Sequence, residues 1–347
     1  MTPPLLATID SPSTRPPREV AELQDGRALM SGPPITSDTV STHPDRTKGP
    51  LRPSKTALIL AAVGLFFVAI QVYGYIAWLL ADPAKQPEGN DPVPASVMAN
   101  VDRAEAILII LTVVWIAVLV FSCWRAKGLT WPLLLTFAWS AVYWQEPLVN
   151  ALDHNFTYNA HLRDRGDWVS HLPFSPVDGP TLSQPLFEAL VFFALLPIFG
   201  LLSYAILRGL HRVGLHSPLL LVLSVWLIFV VLDAAFEMAG IAQGLLVWNR
   251  VTDNLAISAG TADQWPVYEG IMLGFLWALP GMLMFFRGGH RFSVLDPGID
   301  VLPGALPVVV RLLALAGLLN VAFLAYNIAL MVLSGSTVAP APSWLSP

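Results

Sequence analysis

LLLVLSVWLIFVVLDAAFEMAGIAQGLLV, residues 219–247, is a 29-residue apolar stretch carrying two acids, Asp233 and Glu237. About 20 apolar residues cross a bilayer as a helix, so the stretch predicts a membrane span. Its i, i+4 spacing puts both carboxyls on one helical face. A charged side chain at bilayer depth costs roughly 2.5–3.5 kcal/mol on insertion scales, so two in one span imply a use. No cation is expected inside a span to neutralise them. A carboxylic acid beside a carboxylate is then the expected state, which suits acid/base chemistry on an apolar substrate. Gly240 and Gly244 follow at small-xxx-small spacing, so this face is expected to pack against another helix. The structural alternative is a carboxyl tied by hydrogen bonds to a neighbouring helix, such as the one bearing Asn320, Tyr326 and Asn327.

Outward from this stretch the chain keeps the same character. Hydrophobic residues make up 55% and charged residues 12%, against about 25% charged in a soluble domain. Mean hydropathy is +0.61. Apolar runs at 57–80, 104–124, 129–144, 186–207, 219–247, 267–286 and 308–333 predict an all-α integral membrane protein. About seven transmembrane helices would fill residues 55–333. Residues 1–54 hold ten prolines and many Ser, Thr and charged residues. They are expected to form a disordered tail, with no cleaved signal before the first span. Residues 334–347 form a short C-terminal tail.

Basic residues set the expected direction. With the N-terminus cytoplasmic, the inner segments hold Arg46, Lys48, Arg52, Lys55, Arg125, Lys127, Arg208, Arg212, Arg287, Arg291 and Arg311. The outer segments hold only Lys85, Arg103, Arg163, Arg165 and Arg250. That positive-inside bias predicts a multi-pass cell-membrane protein with its N-terminus inside and its C-terminus outside.

The longest outer loop, 145–185, carries Tyr158, Asn159, His161, Asp167, Trp168 and His171. Loops of this length are often lids or binding elements. Trp139, Tyr143, Glu146, Asn150 and Asp153 share one helix face if Pro147 only kinks the chain, presenting aromatic, acidic and amide groups together. The alternative is an aromatic belt with a polar helix end at the headgroups, the natural reading of Trp144 alone. Glu188 and Glu269 each follow a proline at a helix start (Pro185 and Pro266). They are either supporting carboxyls or partners of the helix dipole. Tyr268 adds a phenol beside Glu269. Glu105, three residues after Asp102, resembles a capping arrangement.

Other chemistries lack their signatures. The seven histidines (His43, 154, 161, 171, 211, 216, 290) show no metal-ligand spacing, so no metal site is expected. There is no dinucleotide or P-loop motif, no GxSxG elbow, and no Cys nucleophile in a plausible setting. Cys123, the single cysteine, precludes an intramolecular disulfide and reads as a small filler at a span end. Lys127 is the last lysine, which excludes a retinal Schiff base in the seventh span. Neither nucleotide nor nucleic acid is an expected partner, and no cofactor is expected. Proton transfer by carboxyls, assisted by Tyr, Trp and Asn, remains.

The order Trp144-Gln145-Glu146-Pro147-Leu148-Val149-Asn150, then Phe156-Thr157-Tyr158-Asn159, then Gly166-Asp167-Trp168, resembles the AveC-type spirocyclases of macrolide biosynthesis. The similarity runs from the first span to the seventh and reaches the family's avermectin-pathway member. It implies stereoselective closure of a dihydroxy-ketone polyketide into a spiroketal, with a second spiroketal dehydratase activity in some members. Where many relatives carry Asp in the WQ-acid-P motif, this chain has Glu146, one methylene longer. The family supplies no catalytic set to transfer. The residues read above assign Asp233 and Glu237 as the acid/base pair, with Glu146 and Glu188 in support. Trp139, Tyr143, Trp144, Asn150, Tyr158, Asn159, Trp168, Tyr268 and Glu269 are the expected substrate contacts.

This chemistry needs a protonated carboxyl for the leaving hydroxyl and a carboxylate beside the cation. The expected partners are a lipophilic polyketide macrolide and the lipid bilayer. The rival reading is a seven-helix, proton-coupled transporter of a lipophilic metabolite, with the acid pair as relay. Pro280-Gly281 in the sixth span hints at a broken helix, though no inverted repeat is visible. A terpenoid or carotenoid cyclase would also place buried acids on a cation, but the NxxxD and DxxxD diphosphate motifs are absent.

Overall fold

The computed structural model describes residues 52–81, 93–153, 155–163, 168–175, 186–288, 293, 295 and 297–340. The expected N-terminal tail over 1–51, Asp167, Pro185 and residues 341–347 lie outside them. Helices dominate: α1 (Lys55–Leu80), α2 (Ala95–Ala126), α3 (Trp131–Ser140), α4 (Glu146–Asp153), α5 (Leu186–Leu190), α6 (Leu196–Arg212), α7 (Pro218–Ala242), α8 (Val267–Phe285) and α9 (Leu306–Leu333). A π turn at Val191–Leu195 joins α5 and α6 into one rod. Among the described residues six helices are long and apolar enough to cross a membrane: α1, α2, the α5–α6 rod, α7, α8 and α9.

The expected third span over 129–144 is not one of them. α3 has ten residues, about half a bilayer at 1.5 Å per residue. A 3-10 turn over Tyr143–Gln145 follows, and then α4. Pro147 explains the break, because its ring would meet the Tyr143 carbonyl and it has no N–H to donate. Side chains occupy carbonyls at the break: Gln71 Nε2 donates to Ser140 O at 2.8 Å and Asn320 Nδ2 to Ala141 O at 3.0 Å. The segment still traverses the bundle. It starts beside the end of α2, where Ser122 and Thr130 hydroxyls meet at 3.2 Å, and finishes where α7 ends. The shared helix face over 139–153 does not form.

The stretch 219–247 is helical only as far as Ala242. Ser217 caps α7, its Oγ accepting from Leu220 N, and Pro218 opens it. At the far end Gly244 N donates to Ile241 O and Leu245 N to Gly240 O, both at 2.9 Å. Gly244 sits at φ +72°, so this is a Schellman turn that a β-carbon would strain. Gly240 faces the Leu246 side chain and Gly244 ends the helix; the two do not form a helix-packing face.

Beyond the turn, β2 (Leu246–Trp248) pairs antiparallel with β1 (Phe156–Tyr158), in the register Phe156↔Trp248 and Tyr158↔Leu246. The expected outer loop 145–185 therefore begins with a helix and a strand. Two further short pairs stand beside it: β3 (Arg250–Val251) with β6 (Thr337–Val338), and β4 (Ala256–Ile257) with β5 (Trp265–Pro266). The expected C-terminal tail is thus tied down as far as β6, and Ser334 Oγ donates to the Asp153 carboxylate.

Two charged residues depart from expectation. Arg311 lies within α9 and is 5% exposed, so the apolar run 308–333 does carry a buried cation. It donates to Asp300 at 2.7 Å, near the start of α9. Glu105 is buried inside α2 and is no cap. Its Oε1 accepts Arg163 N at 2.6 Å and its Oε2 meets Arg163 Nε at 3.0 Å, fastening the loop to the bundle.

α8 is the most enclosed of the long helices and packs against α6 and α7. A β-carbon at Gly274 would stand 2.7 Å from Val230 N. Only glycine lets the two antiparallel backbones approach this closely. That approach brings the first turn of α8 beside Asp233.

Candidate active site

A cavity of about 630 Å³ opens where α7 ends and α5 and α8 begin. Four carboxyls line it: Glu146, Glu188, Glu237 and Glu269. Each arrives from a different element: Glu146 opens α4, Glu188 sits in α5, Glu237 is in the last two turns of α7 and Glu269 is in the first turn of α8. No Lys, Arg or His lines the cavity among the described residues.

The β1–β2 pair forms one wall. Side chains alternate across a strand, so Phe156, Tyr158, Leu246 and Trp248 share a face, and all four line the cavity. Thr157, on the opposite face, accepts from Asn249 Nδ2 at 2.6 Å. The π turn of the α5–α6 rod supplies Val191 and Phe192, and α8 supplies Trp277. A π turn widens the helix by one residue and is often found at functional sites.

Each of three carboxyls has one fixed donor. Tyr158 Oη donates to Glu146 Oε1 at 2.8 Å, Trp248 Nε1 to Glu237 Oε2 at 3.0 Å, and Tyr326 Oη to Glu269 Oε1 at 3.0 Å. Tyr158 also lies within reach of Glu188. Asp233 is fully buried and does not line the cavity. Its carboxyl faces that of Glu269. Both Asp233 oxygens and Glu269 Oε2 are buried without a hydrogen-bond partner among the described groups.

The residues expected from sequence divide into two sets. Asp233, Glu237, Glu146, Glu188, Tyr158 and Glu269 come together in the cavity or directly behind it. Trp139, Tyr143, Trp144, Asn150, Asn159, Trp168 and Tyr268 do not line it. Trp139 is core, edge-on to Phe192. Trp144 Nε1 donates to Asn320 Oδ1 at 2.8 Å, and Trp168 Nε1 to Trp144 O at 3.2 Å. Tyr143 packs between Trp168 and Phe192. Asn150 Oδ1 accepts Phe156 N at 3.3 Å, which positions β1. Asn159 Nδ2 donates to Gly244 O at 2.7 Å, bracing the turn that ends α7. Tyr268 bonds to the backbone of Thr252.

Sequence reasoning did not single out Trp248, Phe156 or Trp277 as site residues. A Trp two residues beyond Gly-Leu-Leu carries no signal until β2 is known to be a strand. Tyr326 and Asn327 do line the cavity, yet Tyr326 bonds to Glu269 rather than to Asp233 or Glu237. Asn320 stands apart, gripping Trp144 and Gln145.

Glu146 lies beyond the membrane-length helices, and burial pushes its carboxyl up to about 7, against the pull of the Tyr158 hydroxyl and with the charge of Glu237 adding to the rise. A raised acid keeps its proton below that pH and loses it as pH rises through about 7. Turnover that depends on protonated Glu146 is therefore expected to fall above pH 7. In a pH profile of the initial rate, Glu146→Gln should be slow and lack this limb. A wild-type alkaline limb retained in the variant would assign the proton elsewhere.

Residues 124–346 match the family model described as "Spirocyclase AveC-like". The matched segment includes all five acids; α1 and α2 as far as Cys123 lie outside it. No curated protein and no solved structure matches the chain.

Proposed function

The chain belongs to the AveC-like spirocyclase family, and on that premise we propose that it is a membrane-embedded cyclase closing a dihydroxy-ketone polyketide or macrolide into a spiroketal. The observation that carries this reading is the convergence of four carboxyls, free of any lining cation, in an aromatic cavity. One hydroxyl of the substrate adds to the ketone. The hemiketal then loses water to an oxocarbenium, and the second hydroxyl captures the cation, so one water is released overall.

Glu146 donates the proton to the departing hydroxyl. Glu237, oriented by the Trp248 indole, stands beside the cation and takes the proton of the incoming hydroxyl. Glu188 and Glu269 support the charge, and Asp233 acts through Glu269. The faces of Trp248, Trp277, Phe156 and Phe192 add about 0.5–2 kcal/mol of cation–π attraction. Spiroketals also close unaided in acid, so the protein's contribution is orientation: one folded conformer held in one chamber gives one stereoisomer. A second loss of water, to an alkene in the spiroketal ring, would draw on the same acid and base.

α3 and the turn after it serve as a seventh crossing beside the six long helices. The positive-inside bias then directs the acid cavity toward the outer leaflet of the cell membrane, where a lipophilic macrolide dissolves. The test is purified protein in lipid nanodiscs given a dihydroxy-ketone macrolactone. Cyclisation to a single spiroketal stereoisomer, faster than in empty nanodiscs, is expected. An unchanged substrate would favour a carrier of the same lipophilic compound and end the cyclase reading.

A further inference from the structure

A second cavity, of about 810 Å³, runs between α2 and α7. It shares Tyr158, Glu188, Phe236, Glu237 and Leu246 with the acid chamber, so these five side chains stand between the two spaces. Its remaining walls are mainly apolar: Ile107 and Leu108 from α2, Phe187 from α5, and Ala239 from α7. α2 and α7 barely touch along this gap. Asn100 Nδ2 bridges them at one end, donating to Gln243 O at 3.1 Å. Ile107 is 58% exposed, so the gap opens sideways, on the face two membrane-length apolar helices turn outward. Apart from the shared Tyr158, Glu188 and Glu237, its polar side chains are Arg103 and Gln243, near the bridged end.

Building on the cyclase reading, we propose that this gap is the subsite for the body of the substrate, a lipophilic macrolactone that slides in laterally from the bilayer. Its reacting segment passes Glu188 and Glu237 into the acid chamber, while the apolar remainder stays between α2 and α7. Position supports the division: five side chains line both spaces, and the rest of the second space lies between α2, α5 and α7, away from Glu146 and Glu269. Chemistry supports it as well, because the carboxyls stand where the two spaces meet and the walls beyond are hydrocarbon. The polar edge at Arg103 and Gln243 suits hydroxyl substituents left at the membrane interface.

The test compares two substrates in wild type, Ile107→Trp and Ala239→Trp, all in nanodiscs. One substrate is the complete dihydroxy-ketone macrolactone. The other is a short acyclic dihydroxy-ketone comprising only the reacting segment. Both substituted positions are exposed on the outer side of the gap, so an indole there narrows the gap without entering the acid chamber. For the macrolactone, KM should rise about ten-fold or more, the range set by a misfit in an apolar pocket, with kcat little changed. The short substrate should be turned over as in wild type, which also reports an intact chamber. Unchanged macrolactone kinetics would overturn the proposal and leave the gap to a bilayer acyl chain. Equal losses for both substrates would overturn it too. Wild type inert toward both would instead remove the cyclase reading itself.

Discussion

Glu237→Gln is expected to slow spiroketal formation by about 10²–10⁴-fold, the usual contribution of a positioned acid or base. Glutamine matches glutamate in shape, and its carbonyl can still accept the Trp248 indole N–H that Glu237 accepts at 3.0 Å. The wall formed by β1 and β2 should therefore stay in place while proton acceptance is lost. Three observables should move together: the initial rate falls, the residual product drifts toward the stereoisomer mixture formed without protein, and the protein yield stays at the wild-type level. Asp233→Asn should cost less, because Asp233 stands behind Glu269 and outside the cavity. A Glu237→Gln rate within two-fold of wild type would remove Glu237 from the chemistry.

Asn320→Ala should be the most damaging substitution to the fold. Asn320 is completely buried and makes four hydrogen bonds. Its Oδ1 accepts Trp144 Nε1 and Gln145 Nε2, each at 2.8 Å, and its Nδ2 donates to Ala141 O at 3.0 Å and Ala316 O at 2.8 Å. Truncation strands the Trp144 indole N–H, leaves Gln145 Nε2 only its 3.2 Å bond to the residue 320 carbonyl, and takes a donor from two carbonyls, at about 1–3 kcal/mol for each group left unsatisfied. The sum is a large part of a typical stability of about 5–15 kcal/mol. Thermal unfolding in detergent should show a marked drop for Asn320→Ala and a smaller one for Trp144→Phe, which loses only one of the four bonds. Equal melting of the two variants and wild type would mean that α3 and α4 are held by other contacts.

That pair of results would separate two roles within the stretch 144–150. Trp144 and Gln145 anchor the broken crossing to α9, Asn150 sets β1, and only Glu146 faces the cavity. In the sequence all four look alike, as polar and aromatic residues at the end of an apolar run. The helical spacing that groups Trp139, Tyr143, Glu146, Asn150 and Asp153 assumes a continuous helix, and Pro147 removes that continuity by clashing with Tyr143 O. Glu188 and Glu269 were legible as acids in the first turns of helices. That they face Glu237 across one chamber was not, because the distance between helix ends depends on packing. Trp248 was missed for a similar reason: directly after the apolar stretch it reads as the start of a loop, and only the turn at Gly244 makes it a strand residue aimed at Glu237.

The sequence by itself determined the long apolar helices, the acids embedded in them, and the membership of 124–346 in its family. These follow from composition and order within contiguous segments, where hydrophobicity and local motifs act over short range. Only the tertiary structure decided which acids meet, which aromatic faces surround them, and that a second, apolar cavity lies between α2 and α7. Those outcomes rest on a strand register joining residues about ninety positions apart, on the glycine-enabled approach of α8 to α7, and on a proline that separates α3 from α4. Each is a balance of packing and hydrogen bonding between distant segments, and no local pattern encodes it.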